Sequence, residues 1–374
     1  MRLLSYKLTV LTPIHIYSGE TYRPLNYFIN KDNMVQIFDE MDVIKSIKNN
    51  QMLNDELLRN MTMTNKRTEY HKNLDYFIDK DIVDKSILNK RKVEANNRVK
   101  NLKGQEINKT MRNIQGIFIP GSTIKGIIRT AIIYDYLLSK GIDFVKKAIL
   151  SISNTKSNID DYIIFKNEQS GRIEKDIAKD PFRFISVKDI NMINNKVEIY
   201  EENIFNIDGF IPGNVIETIK EGDSSEEFAF EIRTNFNISR KFNQEILKYF
   251  SNDEILRVLY QYSNDIIEDE IEYFKNNKNA DLNSKEIIEK LQEIKSKNSL
   301  STPVLRIGKS TGYKSHTVAL AIKKMDKEYY LKSAKSIAKP PKYNKNFEYP
   351  KTRKIINGCV SPKLLGFAII EKVN

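Results

Sequence analysis

The sequence has little cysteine and little histidine. One cysteine, Cys359, occurs in 374 residues, so no internal disulfide can form. The three histidines, His15, His71 and His316, are scattered along the chain and give no zinc-ligand spacing. The composition therefore predicts a protein without a disulfide framework or a structural metal, and we expect no cofactor.

Long hydrophobic runs are also absent. Apolar stretches such as LLGFAII at 364–370 are far shorter than the ~20 residues that cross a bilayer. The amino-terminal stretch MRLLSYKLTVLTPIHIYSGE has no signal-peptide cleavage site. We expect a soluble, cytoplasmic protein with no membrane partner, and the length predicts about two domains of roughly 150 residues each.

Positive charge is in excess. Lys and Arg number 61 against 49 Asp and Glu, which gives a net charge of +12 and a pI near 9.3. A polyanionic partner is one explanation. The base composition of the genome is another, because the chain is rich in Lys, Asn and Ile. The positions of the cations carry more information than their total.

Residues 5–17 alternate with the period of a β-strand that has one buried and one polar face. His15 and Tyr17 fall on the polar face. The apolar positions are Leu8, Val10, Ile14 and Ile16. Further strands are predicted at 34–38, 117–119, 161–165, 182–190, 196–205 and 363–372. A hairpin is predicted over 210–236 with EGDSS as its turn. Two α+β halves with antiparallel strands follow from this order.

The stretch FIPGSTIKGIIRTAI at 118–132 predicts a helix with an anion site at its start. Ser122 is the expected N-cap, yet Lys125 stands where Glu or Gln would favour the first turn. Arg129 and Gly126 lie on the same polar side as Lys125 at helical spacing. A phosphate near the positive end of the helix dipole accounts for both features. An exposed basic face with a tolerated glycine is the alternative.

The stretch RIGKSTGYKS at 306–315 is similar to a nucleotide-binding P-loop but lacks its spacing. A P-loop needs glycine five positions before Gly308, and Pro303 occupies that position. What remains is a loop with Gly308, Lys309, Gly312 and Lys314 whose amides and cations can contact phosphates. A plain solvent loop is the alternative.

The segment KPPKYNKNFEYPKTRK at 339–354 interleaves cations with aromatic residues. Lys342 and Arg353 are among the cations, and this mixture is typical of single-stranded nucleic-acid binding. A solvated linker is the alternative.

Catalytic candidates are few. His15 could serve as a general base, but without a partner acid it is read as a hydrogen-bonding or base-stacking residue.

These motifs together resemble the RAMP superfamily of CRISPR proteins. The set consists of LTPIHIYSGE, FIPGSTIKGIIRTAI, RIGKSTGYKS and the closing PKTRK and LLGFAIIEK. It is most similar to the subunit that caps the 3′ end of the guide RNA in type III-A (Csm) effector complexes. The Pro-Gly-Ser-x-x-Lys-Gly-x-x-Arg pattern is its most distinctive block.

The resemblance implies an α+β fold with two RRM-like (ferredoxin-like) domains carrying helical and hairpin insertions. The first domain is expected at 1–205 with a helical insertion at about 41–112. The second is expected at 206–374 with a helical insertion at about 239–297.

The resemblance also implies contact with the guide-RNA backbone. The residues it assigns are Ser122, Thr123, Lys125, Arg129, Gly308, Lys309 and Lys314. Three departures from the family pattern are visible: Tyr17 replaces a usual glycine, Asn26 lies where an acid is common, and the loop at 308 has fewer glycines. The aspartate that cuts target RNA in backbone subunits is absent from 22–30.

The implied function is non-catalytic binding of the 3′ part of the crRNA at the end of a backbone filament, in support of crRNA maturation. The expected partners are crRNA, other Csm subunits and above all the adjacent RAMP backbone subunit, with target RNA and recruited trimming nucleases as further candidates. One alternative is a metal-independent RAMP endoribonuclease that processes crRNA precursors with His15 as base. Another is a membrane-surface or scaffold protein that uses the basic segments.

Overall fold

The computed structural model describes residues 2–48, 55, 72–153, 155, 157–167, 170–206, 209–233, 242–276, 284–337, 349–356 and 361–373. The strands are β1 (Arg2–Val10), β2 (Tyr17–Tyr22), β3 (Tyr27–Ile29), β4 (Met34–Ile37), β5 (Val93–Asn97), β6 (Ile107–Thr110), β7 (Arg112–Asn113), β8 (Gly116–Ile119), β9 (Ile185–Val187), β10 (Ile190–Asn191), β11 (Val197–Asn206), β12 (Gly209–Ile219), β13 (Phe228–Ile232), β14 (Val304–Arg306), β15 (Arg353–Ile356), β16 (Lys363–Leu364) and β17 (Phe367–Lys372).

The α-helices are α1 (Glu40–Lys45), α2 (Leu74–Asp79), α3 (Gly121–Lys140), α4 (Ile142–Ile152), α5 (Ile159–Phe165), α6 (Gln244–Leu247), α7 (Asn252–Asn276), α8 (Ser284–Lys297), α9 (Ala319–Met325) and α10 (Lys327–Ile337). Short 3₁₀ turns lie at Pro24–Asn26, Lys85–Lys90, Ile177–Lys179, Pro181–Phe184 and Tyr313–Ser315.

One sheet of five strands is assembled from distant parts of the chain. Its order is β14-β17-β1-β13-β9, and all of its neighbours pair antiparallel. The apolar face of β1 packs with α3 and α7 in one core, where Leu8 and Val10 are buried beside Ile124 and Val258. The elements β1, α3, β9, β13, α7 and β14 follow the βαββαβ order of a ferredoxin-like unit, with β17 inserted between β14 and β1. The α+β class is confirmed.

A second sheet of nine strands contains segments that the sequence predicted as helical. Its path is β2-β6-β12-β11-β5-β4-β3, with β15 paired to β11 and β16 paired to β15. Strands β5 and β6 lie inside the expected helical insertion at 41–112, so that insertion is only partly helical. In a three-stranded sheet, β10-β8-β7, the central strand β8 leads into α3.

Strand pairing crosses the expected boundary at residues 205 and 206. Strand β11 ends there, and its antiparallel partner β12 lies on the other side. The five-stranded sheet also draws strands from both sides of this point. The two-domain division stays a prediction, and the region at 239–297 supplies the core helix α7 rather than a peripheral insertion.

A crossover segment, Leu11–Ile16, carries the chain from the five-stranded sheet into the nine-stranded one. The sequence predicted one continuous strand over 5–17, but β1 ends at Val10 and β2 starts at Tyr17. Within the segment the Leu11 amide donates to Phe367 at 2.9 Å, and Ile14 pairs with Ile219. Pro13 interrupts the ladder because it has no amide hydrogen.

Two other local predictions were wrong for identifiable reasons. The stretch at 161–165 is helical in α5, because Asn158 and Asp161 form a reciprocal capping box at its start. The predicted hairpin over 210–236 is not one, since β12 and β13 belong to different sheets. The intended turn instead bonds to β1, where the Ser225 amide donates to Leu8 at 2.8 Å.

Helix α7 presents a row of buried carboxylates to cations from later elements. Asp269 accepts two hydrogen bonds from Lys314 Nζ, at 2.7 and 2.9 Å. Glu270 pairs with Arg306 at 2.8 Å and with Arg353 at 2.5 Å. All five side chains are buried. These pairs tie α7 to β14, to the loop that follows it, and to β15.

The pH response of this row follows from Glu270. Burial by itself raises a carboxyl pKa, but Arg353 and Arg306 outweigh it and lower the pKa of Glu270 to about 2. The pKa is lower in the folded state, so the stabilisation is complete above the unfolded value near 4.5 and is lost as pH falls from there towards 2.

We predict that Glu270→Gln lowers the free energy of unfolding by about 3–5 kcal/mol at neutral pH, because it leaves the buried Arg306 without its counter-charge and the buried Arg353 with only Asp269 at 3.8 Å. The loss of stability between pH 4.5 and 2 should also become shallower than in the wild type. Chemical denaturation across that range measures both effects. The matched control is Glu289→Gln, which breaks the exposed 3.8 Å pair with Lys285 and should change stability by no more than about 1 kcal/mol. Equal effects of the two substitutions would contradict the assignment.

Candidate nucleic-acid interface

Helix α3 begins two residues earlier than the sequence predicted. Pro120 is the N-cap and no side chain caps the helix, so Ser122 lies in the first turn and its assignment as N-cap was wrong. Gly121 is buried, and a Cβ there would lie 2.0 Å from the Val187 carbonyl oxygen. Its amide donates to the Asp189 carboxylate at 2.8 Å. An acid of the chain itself therefore occupies the first position that was expected for phosphate.

The α3 patch, formed by Ser122, Thr123, Lys125, Gly126 and Lys188, is the polar surface beside this start. Within the described part of the chain, the Lys125 ammonium has neither an ion pair nor a hydrogen bond. Gly126 is exposed, and a Cβ there would meet no atom within 4 Å. Lys188, which sequence reasoning missed, is exposed next to Gly121. The patch is an open cationic surface with room for a close approach.

Arg129 lies one turn further along the helix and is already engaged. Its guanidinium pairs with Asp180 at 2.7 Å and with Asp160 at 3.6 Å, and it lies 4.8 Å from the Phe182 ring centroid. Burial raises the pKa of Asp160, and Arg129 opposes that shift. RNA contact by Arg129 requires displacement of these acids, so we leave Arg129 out of the patch.

The glycine loop, Gly308–Gly312, is positioned by close contact with the crossover segment. The Lys309 amide donates to the His15 carbonyl at 2.8 Å. Gly308 has φ of +93°, and a Cβ there would lie 2.6 Å from the same carbonyl oxygen. Only glycine fits this approach without displacing the backbone. Gly308 therefore has a structural role, which differs from the RNA contact that the sequence predicted.

Lys309 is exposed on this loop and lies over an aromatic ring. Its Nζ is 3.7 Å from the centroid of the Tyr17 ring, at the start of β2. A cation in this geometry is attracted by the ring, which holds the ammonium at the surface. Tyr17, which departs from the family pattern, therefore positions the Lys309 ammonium. Phosphate contact by Lys309 stays a prediction.

His15 does not lie on a polar face. It is fully buried, and its Nδ1 lies 2.7 Å from the Glu217 carbonyl oxygen, so Nδ1 carries the hydrogen and Nε2 is the acceptor nitrogen. Nε2 has no hydrogen-bond partner in the described structure. Desolvation by burial lowers the pKa of His15 to about 4, which keeps the ring neutral near pH 7. Base stacking on His15 was therefore a wrong expectation.

Two further cations assigned from the sequence are inside the protein. Lys314 and Arg353 are 4% and 5% exposed and bind Asp269 and Glu270. Neither can reach an RNA phosphate, and both predicted contacts were wrong. Lys342 falls outside the described residues.

Sequence reasoning missed two buried acids beside the crossover segment and the glycine loop. Glu217 is buried, holds Arg112 through two contacts of 2.6 and 2.7 Å, and anchors His15 through its carbonyl. Glu202 is buried, pairs with Lys354 at 2.6 Å and accepts a hydrogen bond from Ser310. Glu217 follows the apolar pair Val215–Ile216 in β12, and this position in a strand was the available signal for it. Glu202 lies among other polar residues of β11, so the sequence contains no comparable signal for it.

Among the described residues, no group of three or more His, Cys, Asp or Glu side chains has the geometry of a metal site. In the same part of the chain, none of the helices combines the length and hydrophobicity that a membrane span requires.

The family model of the RAMP superfamily matches residues 7–313, which includes the crossover segment, α3 and the glycine loop. The chain belongs to the RAMP superfamily. The resemblance noted in the sequence motifs is therefore confirmed.

One curated relative is similar to this chain over part of its length. The chain is 27% identical over 270 residues to the CRISPR system Cms protein Csm5 of Methanocaldococcus jannaschii, a match covering 67% of this chain and 60% of that protein. The chain thus spans about 60% of the length of the curated relative it matches.

Solved structures share the fold. A chain from a Csm–crRNA–target RNA ternary complex of a type III-A CRISPR-Cas system aligns with a TM-score of 0.74 and 18% identity, covering 98% of this chain and 100% of that one. Csm5 of T. onnurineus aligns with a TM-score of 0.59 and 17% identity, over 97% and 99% of the two chains.

Substitution of Gly126 and of Gly308 by alanine should change the free energy of unfolding in opposite directions. We expect Gly126→Ala to raise the free energy of unfolding by about 0.5–1 kcal/mol, because alanine favours a helix and the site is open. Gly308→Ala should lower it by about 1–3 kcal/mol, because alanine is strained at positive φ and crowds the His15 carbonyl. Thermal and chemical unfolding of the two variants measure this contrast. A stabilised Gly308→Ala protein would contradict the loop geometry.

Proposed function

We propose that the chain is a non-catalytic crRNA-binding subunit of a type III-A CRISPR effector complex. In this role it binds the 3′ part of the guide, ends the stack of RAMP backbone subunits and supports crRNA maturation. Its partners are crRNA, the adjacent RAMP subunit and other Csm subunits, with target RNA and trimming nucleases as further partners. We place it in the cytoplasm. The proposal is supported by the family and by likeness to Csm5 proteins and to a chain of a crRNA-containing complex.

The observation that carries RNA binding is the pair of open cationic surfaces. Lys125 projects beside an exposed glycine that a helix would not favour, and Lys309 stands on a loop fixed against His15. Both cations are available to phosphate oxygens without disruption of an internal ion pair in the described structure. Such contacts bind the RNA backbone and carry no base sequence.

The absence of catalysis is supported by the burial of His15. A general base must lie within hydrogen-bond reach of the proton that it removes. His15 is fully buried and packed under the glycine loop, so an RNA 2′-hydroxyl does not reach Nε2 in this conformation. This favours the binding role over the processing endoribonuclease.

We predict that Lys125→Gln and Lys309→Gln each weaken binding of single-stranded RNA. Each lost phosphate contact should lower the slope of log affinity against log salt by roughly 0.7. The measurements are fluorescence anisotropy across a salt series and guide retention on the purified complex. Lys285→Gln on α8 is the control. The Lys285 side chain is 84% exposed, and the substitution removes one positive charge, as the other two substitutions do.

Two outcomes would contradict RNA binding at these surfaces. One is an unchanged salt slope in both variants. The other is a loss of the same size in Lys285→Gln, which would mean that only net charge matters. Anionic vesicles in the same assay test the membrane-surface alternative, which requires vesicle binding and no preference for RNA.

We also predict that the purified protein leaves repeat-containing precursor RNA intact in EDTA and in Mg²⁺. End-labelled RNA resolved on a denaturing gel measures cleavage. His15→Asn is the informative variant, because the asparagine amide can still donate to the Glu217 carbonyl while the imidazole is lost. Cleavage by the wild type that disappears in His15→Asn would establish the processing enzyme instead.

A further inference from the structure

An aromatic pair lies at the end of the glycine loop and has no role in the contacts described so far. Tyr313 follows Gly312 directly and is 40% exposed, which is unusual for a large ring. Its ring centroid is 5.9 Å from that of Tyr349, with 69° between the ring planes. In this edge-on arrangement each ring keeps at least one face that its partner does not cover. The exposure of Tyr313 shows that part of the pair is open to solvent.

The exposed residues near this pair along the chain are polar and cationic. Lys309 is exposed four positions before Tyr313, and Lys351 is exposed two positions after Tyr349. His316 is also exposed and lies 2.7 Å from the Thr311 hydroxyl through Nε2. An apolar protein partner would have to cover these charged and polar groups, which is costly. Aromatic rings between cations match the alternation of bases and phosphates along a single strand.

The backbone around the pair is held in place. Ser315 Oγ donates to the Thr311 carbonyl at 2.9 Å, and the buried Tyr262 hydroxyl donates to the Lys314 carbonyl at 3.0 Å. Beneath it, the Lys314 ammonium is fixed on Asp269. A ring carried on a fixed turn loses little conformational freedom when a planar ligand packs on it.

We propose that Tyr313, backed by Tyr349, stacks a nucleobase of the bound single-stranded RNA while Lys309 contacts a neighbouring phosphate. This inference rests on the proposed function and adds to it a contact with a base. Because every base has a π-face, the contact is tolerant of sequence. The same loop thus binds RNA through two kinds of interaction, one dependent on salt and one on the presence of a base.

The test uses the full chain and two RNAs of equal length, one normal and one with abasic sites throughout. Tyr313→Ala should bind normal RNA about tenfold more weakly, within the range of single base-aromatic stacks, and should leave the salt slope unchanged. On the abasic RNA, Tyr313→Ala and wild type should bind alike. Tyr313→Phe keeps the ring and should bind normal RNA within about twofold of the wild type.

Lys309→Gln is the matched comparison within the same loop. This substitution should weaken binding of both RNAs and lower the slope of log affinity against log salt, because phosphates are present in both. Quenching of a 2-aminopurine RNA by wild-type protein, reduced in Tyr313→Ala, reports stacking directly, and thermal melting monitors folding.

Each outcome of this test has a definite meaning. Wild-type affinity of Tyr313→Ala for normal RNA, or an equal loss on normal and abasic RNA, overturns the stacking role while RNA binding itself stands. Absence of RNA binding by the wild type overturns the proposed function and the stacking role together. A selective loss on normal RNA that Tyr313→Phe restores supports the inference.

Discussion

The hydrogen bond from the Lys309 amide to the His15 carbonyl is the constraint around which this molecule is arranged. It joins the crossover segment between the two large sheets to the loop that carries the exposed lysine. The approach is so close that residue 308 must be glycine. The His15 ring is in turn fixed by the Glu217 carbonyl, and Glu217 also binds Arg112. A basic surface loop is thereby given a defined position by neutral main-chain contacts.

The buried charges of α7 support the same loop from below. Lysine and arginine are rarely buried without a partner, and here each buried cation meets a carboxylate of one helix. The arrangement divides the basic residues into two classes. Lys314 and Arg353 serve the interior, whereas Lys125 and Lys309 remain at the surface. The excess positive charge therefore overstates how many cations can meet an external anion.

The sequence was informative where local physics decides the structure. The apolar face of β1, the buried side of α3 and the closing strand depend on periodicity, and each could be read directly. The position of Lys125, half-buried and at the surface, followed from its place on the polar side of α3. The burial of Lys314 could not be foreseen, because its partner Asp269 is 45 residues away and only tertiary structure brings them together. The separation of β12 and β13 into different sheets also depends on strands that are distant in the sequence. The contact of Asp189 with the Gly121 amide at the start of α3 is likewise made only by tertiary structure.

The placement of β1 has a consequence for biosynthesis. Tyr6 pairs with Lys372 on one side and with Phe228 on the other, so β1 is a central strand whose neighbours are made much later. At translation rates of about 5–20 residues per second, the β17 side of this strand stays open for on the order of tens of seconds. During that time its apolar face and its unpaired edge are available to other chains. Docking of β1 onto α3, which is synthesised much earlier than β17, covers the apolar face but leaves the β17 edge unpaired until β17 is made.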